Sequence, residues 1–177
     1  MPPPDLHLVL LSEAHLDDVQ AAANDPEVAR FTMFPVPAPA DFSTQFYARY
    51  QAGRESGTRE AFAAVAADGR FLGLALAPEI NVEGREMELG YLVAAAERGR
   101  GVATELLRQL TEWAFGSANA LRVSLTIAAD NAGSKLVATR CGYQREGVLR
   151  SSYFKQGTRT DAELWGRLST DPLPAAV

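Results

Sequence analysis

The sequence is poor in the residues that make disulfides and metal centres. One cysteine, Cys141, and two histidines, His7 and His15, occur in 177 residues. A single thiol excludes an intramolecular disulfide, and two histidines near one end give no metal-cluster spacing, so no metal is expected. Long apolar runs are missing too, with nothing near the roughly 20 residues of a membrane span. The opening Met1-Pro2-Pro3-Pro4-Asp5 has no basic n-region and no apolar h-region. No signal peptide is therefore expected, and the setting implied is a reducing cytoplasm. Positive charge is in deficit, with a net charge of −5. That argues against wholesale binding of a nucleic-acid backbone and leans weakly towards an amine-bearing partner.

What is present is an ordinary globular composition, 47% hydrophobic and 22% charged. It suffices for one full core, so one α+β domain is expected over residues 1–170, with 171–177 a flexible tail. Leu6–Leu10 reads as a strand. Ser12 offers an N-cap, with Leu16, Val19 and Ala23 following at helical spacing. Asp25-Pro26 starts a second helix, with Asp as cap and Pro at the first helical position. Three prolines in Phe31–Pro39 demand a loop, unusually apolar for a surface one, which either packs on its own domain or lines a cleft. A helix is expected over Asp41–Gln51, then a polar, flexible 53–59.

Asp68-Gly69 between Ala61–Ala66 and Arg70–Leu76 is a hairpin signal. Strands are further expected at Glu88–Val93, Leu121–Ala128, Gly147–Phe154 and Thr160–Leu168. A long helix is expected from Val102, and a short one from Asp130-Asn131 to Cys141-Gly142 with Gly142 at C′.

The stretch Glu97-Arg98-Gly99-Arg100-Gly101-Val102-Ala103-Thr104 carries the strongest chemical signal. A strand-length run precedes it, and Val102, Leu106, Leu107 and Leu110 after it mark one helix face. Two glycines at a helix start leave free N–H groups, the positive end of the helix dipole, and no Cβ to obstruct approach. This is an anion site, most naturally for phosphate. A P-loop would require G-x-x-x-x-G-K-[ST], which the chain lacks. A dinucleotide fingerprint would require a third glycine where Thr104 stands, and an acid about 20 residues on that is also missing.

A third pattern, R-x-x-G-x-A, is met by Arg98, Gly101 and Ala103. It resembles motif A of the GNAT superfamily of acetyl-CoA-dependent N-acetyltransferases. The flanks agree in order and spacing: Glu88-Leu-Gly-Tyr-Leu-Val93 before it, then Asn131-x-x-Ser134, then Cys141-Gly-Tyr-x-x-Glu-Gly-Val-Leu-Arg150. Together they resemble the RimJ/RimL branch over roughly Leu6–Leu168. The resemblance implies a GNAT fold, with a mixed, mostly antiparallel sheet flanked by helices in the order β-α-α-β-β-β-α-β-α-β-β. It implies acetyl-CoA as co-substrate, a protein or peptide N-terminal α-amine as first-choice acceptor, and direct attack in a ternary complex. Polyamines, amino acids and aminoglycosides are alternative acceptors within that branch, and a homodimer is compatible with it. A non-catalytic acyl-CoA-binding module is the rival outside catalysis.

Acetyl transfer to an amine requires a held donor, a neutral amine, and stabilised oxyanion and thiolate. The amides of Gly99, Arg100, Gly101, Val102, Ala103 and Thr104, with Arg98 and Arg100 adding charge, would hold the pyrophosphate. By resemblance, the backbone of Tyr91, Leu92 and Val93 would accompany the pantetheine arm, their side chains being plain core. Asn131 would contact that arm, cap the next helix, or do both. The tyrosine that many such enzymes place seven residues after this Asn is Ala138 here. Ser134 is the substitute acid, and a thiol of pKa about 8.5 can also leave unaided. Glu88 is the candidate base, sharing a strand face with Glu86. Phe34, Tyr153 and Asp161 would border the acceptor cleft, while Cys141, Tyr143 and Trp165 read as core.

Overall fold

A computed structural model describes residues 5–172 and 174. Seven strands, β1 (Leu6–Leu10), β2 (Glu60–Ala66), β3 (Phe71–Asn81), β4 (Glu86–Val93), β5 (Arg122–Ala128), β6 (Gln144–Lys155) and β7 (Thr158–Leu168), form one sheet in the order β1-β2-β3-β4-β5-β7-β6. Every neighbouring pair is antiparallel except β4–β5. The helices are α1 (Leu16–Ala23), α2 (Pro26–Phe31), α3 (Phe42–Ser56), α4 (Val102–Phe115) and α5 (Ala132–Arg140). Three helices, rather than the two in the order implied by resemblance, separate β1 from β2. Of the expected tail, residues 173 and 175–177 lie outside the described residues.

Alternation along the strands feeds two cores. On one face, Leu106, Leu107, Leu110 and Ala114 of α4, each with no exposed surface, pack on Leu72, Met87, Leu89 and Val123. Burial on this scale stabilises by about 1.5–3 kcal/mol per large side chain before chain entropy is counted. On the other face, α1–α3 cover Ala61, Ala63, Leu74 and Leu92, and Phe34 of the loop after α2 packs with Phe42, Phe46 and Tyr50 of α3 at centroid separations of 4.7–5.7 Å.

The local signals act as expected at several points. Asp25 accepts from the amides of Glu27 and Val28 at 2.9 and 3.0 Å, capping α2 ahead of Pro26. Asp68-Gly69 turns β2 into β3, with Gly69 at φ 83°. Two expectations need correction. Residues 53–56 are not a flexible loop but the last turn of α3, because Gly53 is buried where Arg59 crosses the helix: a Cβ there would lie 2.4 Å from Arg59 Cβ. Strand β3 also runs on to Asn81, through Pro78. Between Leu76↔Gly90 and Glu79↔Glu88 it carries one residue more than β4, a bulge that absorbs the proline's missing N–H.

Candidate active site

The site lies where β4 and β5 part. They pair only over Glu86↔Arg122, Met87↔Val123 and Glu88↔Ser124. Beyond that point β5 continues beside β7 as far as Ala128, whereas Leu89–Val93 keeps β3 on one edge and has no strand partner on the other among the described residues. An edge of unpaired amides and carbonyls inside the molecule can receive an extended ligand as a further strand.

Past the open end of β4, the chain reaches the glycine turn. Gly99 and Gly101 take φ 74° and 82°, the left-handed region that glycine enters without steric cost. Gly101 is the N-cap of α4, and the first intrahelical bond runs from Glu105 N–H to Gly101 O at 3.1 Å. The amides of Val102, Ala103 and Thr104 therefore lack intrahelical acceptors. Nothing lies within 4 Å of the position a Cβ would take on Gly99. Beside the turn is a cleft of about 360 Å³, lined by Tyr91–Val93, Gly99, Gly101–Thr104, Asn131 and Ser134. An anionic, extended ligand fits these donors and this space.

Charge around the turn is less free than the sequence suggests. Arg98 binds Asp25 at 2.9 Å and Glu27 at 3.1 Å, clamping the turn to the start of α2. Burial alone would raise the Asp25 carboxyl, but Arg98 and the capping amides outweigh it and hold the group below its ordinary value. Arg100 is exposed and reaches Glu97 at 3.3 Å, and Glu97 also pairs with Arg70. The anion-binding capacity thus resides chiefly in backbone amides.

A second cleft of about 490 Å³ lies on the α3 side of the sheet. Tyr91, Leu92, Asn131 and Ser134 line both clefts, so the two meet at one point. Glu88 lines the second cleft. Burial raises its carboxyl, the Thr126 hydroxyl partly offsets this, and Glu79 adds to the rise. Glu86 is exposed, 3.9 Å from Arg122, and outside both clefts.

Asn131 caps α5, its Oδ1 accepting from the Ser134 amide at 3.0 Å. Phe34 is buried in the aromatic cluster and also borders the second cleft. The apolar Phe31–Pro39 loop therefore does both things left open for it. It packs through Phe34 and lines the cleft, held by Lys155 Nζ on the carbonyls of Thr32 and Phe34. Tyr153 borders the cleft, but its hydroxyl is a strut, donating to the carbonyls of Arg30 and Thr32 at 3.1 Å.

Asp161 needs correction. It lines neither cleft, because its carboxylate accepts the Ser151 amide at 2.8 Å, where β6 breaks register and Ser151 sits at φ 53°. Cys141 is buried core as expected, and desolvation pushes its thiol up to about 11. Tyr143 is likewise buried, its hydroxyl 2.7 Å from that of Thr111.

Sequence reasoning named Tyr91 for its backbone and took its side chain as plain core, missing its hydroxyl. Its ring packs against the α4-side core, yet its hydroxyl is buried without a hydrogen-bond partner, beside Ser134 where the clefts meet. Burial pushes this phenol up to about 12. A buried hydroxyl without a protein partner at a cleft junction is free to donate to a bound ligand. Strand alternation alone gave Tyr91 a core face and could not show where its tip ends. No group of three or more His, Cys, Asp or Glu side chains that could hold a metal occurs among the described residues. No described helix is long and apolar enough to cross a membrane.

A parted parallel strand pair with a glycine-started helix beside it defines an α+β fold with a ligand-sized cleft at the gap in its sheet. Residues 5–144 match the model of the acetyltransferase (GNAT) domain family, in its RimJ/RimL-like form, and the chain belongs to that family. Among curated proteins it is 28% identical over 104 residues to YdaF of Bacillus subtilis, named "putative ribosomal N-acetyltransferase", covering 59% of this chain and 57% of that one. To the spermidine N(1)-acetyltransferase of Vibrio cholerae it is 27% identical over 97 residues, 55% of this chain and 56% of that one. The matches thus span little more than half of these relatives. Among solved structures, RimL, a ribosomal L7/L12 α-N-protein acetyltransferase in complex with coenzyme A, superposes with a TM-score of 0.86 at 16% identity, covering 93% of this chain and 94% of that one. The Vibrio cholerae spermidine N-acetyltransferase with CoA and spermine gives 0.84 at 22% identity, covering 94% and 96%. At these identities the structural likeness speaks for the fold.

Proposed function

We propose that this chain transfers the acetyl group of acetyl-CoA to a primary amine, by direct attack within a ternary complex. The observation that carries this is the junction of the clefts: an anion-binding turn with an open strand edge on one side, a carboxylate-bearing pocket on the other, and Tyr91, Leu92, Asn131 and Ser134 between them. Bound acetyl-CoA would supply a thioester carbon at that junction. The amides of 99–104 hold the pyrophosphate, and the free edge of Tyr91–Val93 orders the pantetheine arm, with Asn131 Nδ2 left to donate while Oδ1 caps α5. Glu88 takes the amine's proton, directly or through water; its raised carboxyl makes it a better base near neutral pH than an ordinary glutamate. Ser134 and Tyr91, which line both clefts, are the candidate donors to the departing sulfur. A phenol with so high a pKa serves there as a hydrogen-bond donor rather than as a strong acid.

The first-choice acceptor class is an amino-terminal α-amine. With a pKa near 8 it requires less help than a lysine amine near about 10.4. Free-thiol release from acetyl-CoA, measured across peptides, amino acids and polyamines, tests the function. Tight CoA binding with no thiol release from any amine would instead establish a binding module, which the alanine at position 138 favours.

A further inference from the structure

The acceptor cleft is electrically lopsided. It holds one carboxylate, Glu88, and two guanidinium groups, Arg49 of α3 and Arg59 just before β2. Neither arginine has a carboxylate partner or side-chain hydrogen bond among the described residues, whereas Arg98 and Arg100 at the glycine turn are ion-paired. Arg49, exposed on α3, sits over the aromatic cluster, 5.5 Å from the Phe46 ring centre and 5.8 Å from that of Tyr50. Arg59 is fixed more firmly. Its stem crosses α3 at Gly53, in a gap where a Cβ could not fit, and its amide donates to Gly53 O at 3.2 Å. Arg49, Tyr50, Arg59 and Glu88 all line this cleft, so the three charges border one space.

We infer that the acceptor carries an anionic group close to its amine: the ammonium approaches Glu88 while a carboxylate is received by Arg49 and Arg59. This rests on the proposed acetyltransferase activity and narrows it. An isolated cationic amine would meet one carboxylate and two positive charges, and a second or third ammonium along its chain would be repelled. A guanidinium offers a planar fork that matches a carboxylate in two hydrogen bonds. An unpaired guanidinium pair beside a lone carboxylate is complementary to a zwitterion. Glu88 is the one carboxylate lining the cleft, the exposed Glu79 opposite it in the β3–β4 ladder lying outside the lining, so the −5 net charge of the chain is not reproduced inside. At about 490 Å³ the space suits a single amino acid or the first residues of a peptide.

Both sources present the same chemistry, an α-amine with a carboxylate within a few bonds. The free α-carboxylate of an amino acid is one, and an acidic side chain at the first or second peptide position is the other. A thiol-release assay with matched acceptors separates them: a free apolar amino acid, its amide, a peptide beginning Ser-Glu, the same peptide with Gln for Glu, and spermidine. The expected result is kcat/KM at least tenfold higher for one carboxylate-bearing member over its neutral match, expressed mainly in KM, with spermidine the poorest substrate. Arg49→Ala should shrink that ratio several-fold and Arg49→Lys restore part of it. Arg59→Gln, which keeps the stem against Gly53, should shrink it as well without unfolding the chain. Equal turnover of charged and neutral matches, or spermidine as the best acceptor, would overturn the inference and leave the acetyltransferase standing. No thiol release from any amine, with CoA still bound, would remove both.

Discussion

The two clefts are built on opposite plans. The proposed donor side rests mainly on one continuous stretch, Leu89 to Thr104, flanked by residues of α2 and the start of α5, and what that stretch presents is main chain: the open edge of β4, two left-handed glycines and the first amides of α4. The proposed acceptor side is assembled from eight separated segments: the end of α2 with the loop after it, α3, Arg59 before β2, β3, β4, β5, the start of α5, and β6. A backbone-built cradle tolerates exchange of most side chains but no added Cβ in the wrong place. A side-chain-built pocket changes its ligand with every substitution. That division explains how one donor can be kept across a family while acceptors as different as a protein amino terminus and spermine are named among the structural neighbours.

The sharpest way to break the comparison is to place a side chain into the cradle. Gly101→Glu puts a Cβ on a residue at φ 82° and a carboxylate at the positive end of α4. CoA affinity measured by calorimetry should fall by more than about a hundredfold, from steric exclusion and charge repulsion together. Unchanged affinity would mean that the anion site has been misplaced. Circular dichroism should show the fold retained.

The next largest effect belongs to the acceptor side. Glu88→Gln should lower kcat/KM about a hundredfold, within the usual range for removing a general base. The acidic limb of the pH profile, set by a carboxyl above its ordinary value of 4.5, should vanish with it. Stability moves the other way. Because the folded state holds this proton more tightly than the unfolded chain, stability declines as pH rises from 4.5 through the raised folded value. At neutral pH, Gln therefore relieves a desolvated charge, and Tm should rise slightly while activity collapses. A fall in both would assign Glu88 a structural role instead.

Tyr91→Phe tests the junction. The hydroxyl has no partner to lose, so thermal stability should be unchanged or slightly higher. In contrast, Tyr143→Phe breaks a 2.7 Å bond to Thr111 and should cost about 1 kcal/mol. A roughly tenfold drop in kcat for Tyr91→Phe, with CoA affinity retained, is the expected signature of a donor to the leaving sulfur. An unaltered kcat would leave Ser134 as the sole donor there.

This asymmetry also governs what the sequence could reveal. Gly99, Gly101 and Ala103 are legible because the conformations and close approaches they permit are encoded in residue type and spacing. Asp25-Pro26 and Asp68-Gly69 are legible for the same reason. The β3 bulge at Pro78 and the last turn of α3 were not, because each depends on a partner distant in sequence, β4 for the first and Arg59 for Gly53. Asp161 was misassigned because a carboxylate on a closing strand looks alike whether it faces a ligand or the Ser151 amide. Arg98 is a mixed case. Its place in the motif is visible, whereas its engagement with Asp25 and Glu27 needs the fold.

Arg98 also joins the two regions, and its removal gives the smallest and most discriminating effect. Its guanidinium ties the donor turn to the first residues of α2, and α2 leads directly into the loop that carries Phe34 over the acceptor cleft. Arg98→Ala should cost about 1 kcal/mol at pH 7, since the pair is partly exposed and Asp25 keeps its capping amides. Asp25 is held below its ordinary value of 3.8, so the stability it contributes is present above that pH and lost as pH falls through the lower folded value. The difference in Tm between wild type and Arg98→Ala should therefore shrink below about pH 4. The kinetics then decide how far the clefts are independent. A several-fold rise in KM for acetyl-CoA alone would mean that α2 merely braces the cradle. A matching rise in acceptor KM would show that the backbone-built and side-chain-built halves move together, with Arg98 as the mechanical link.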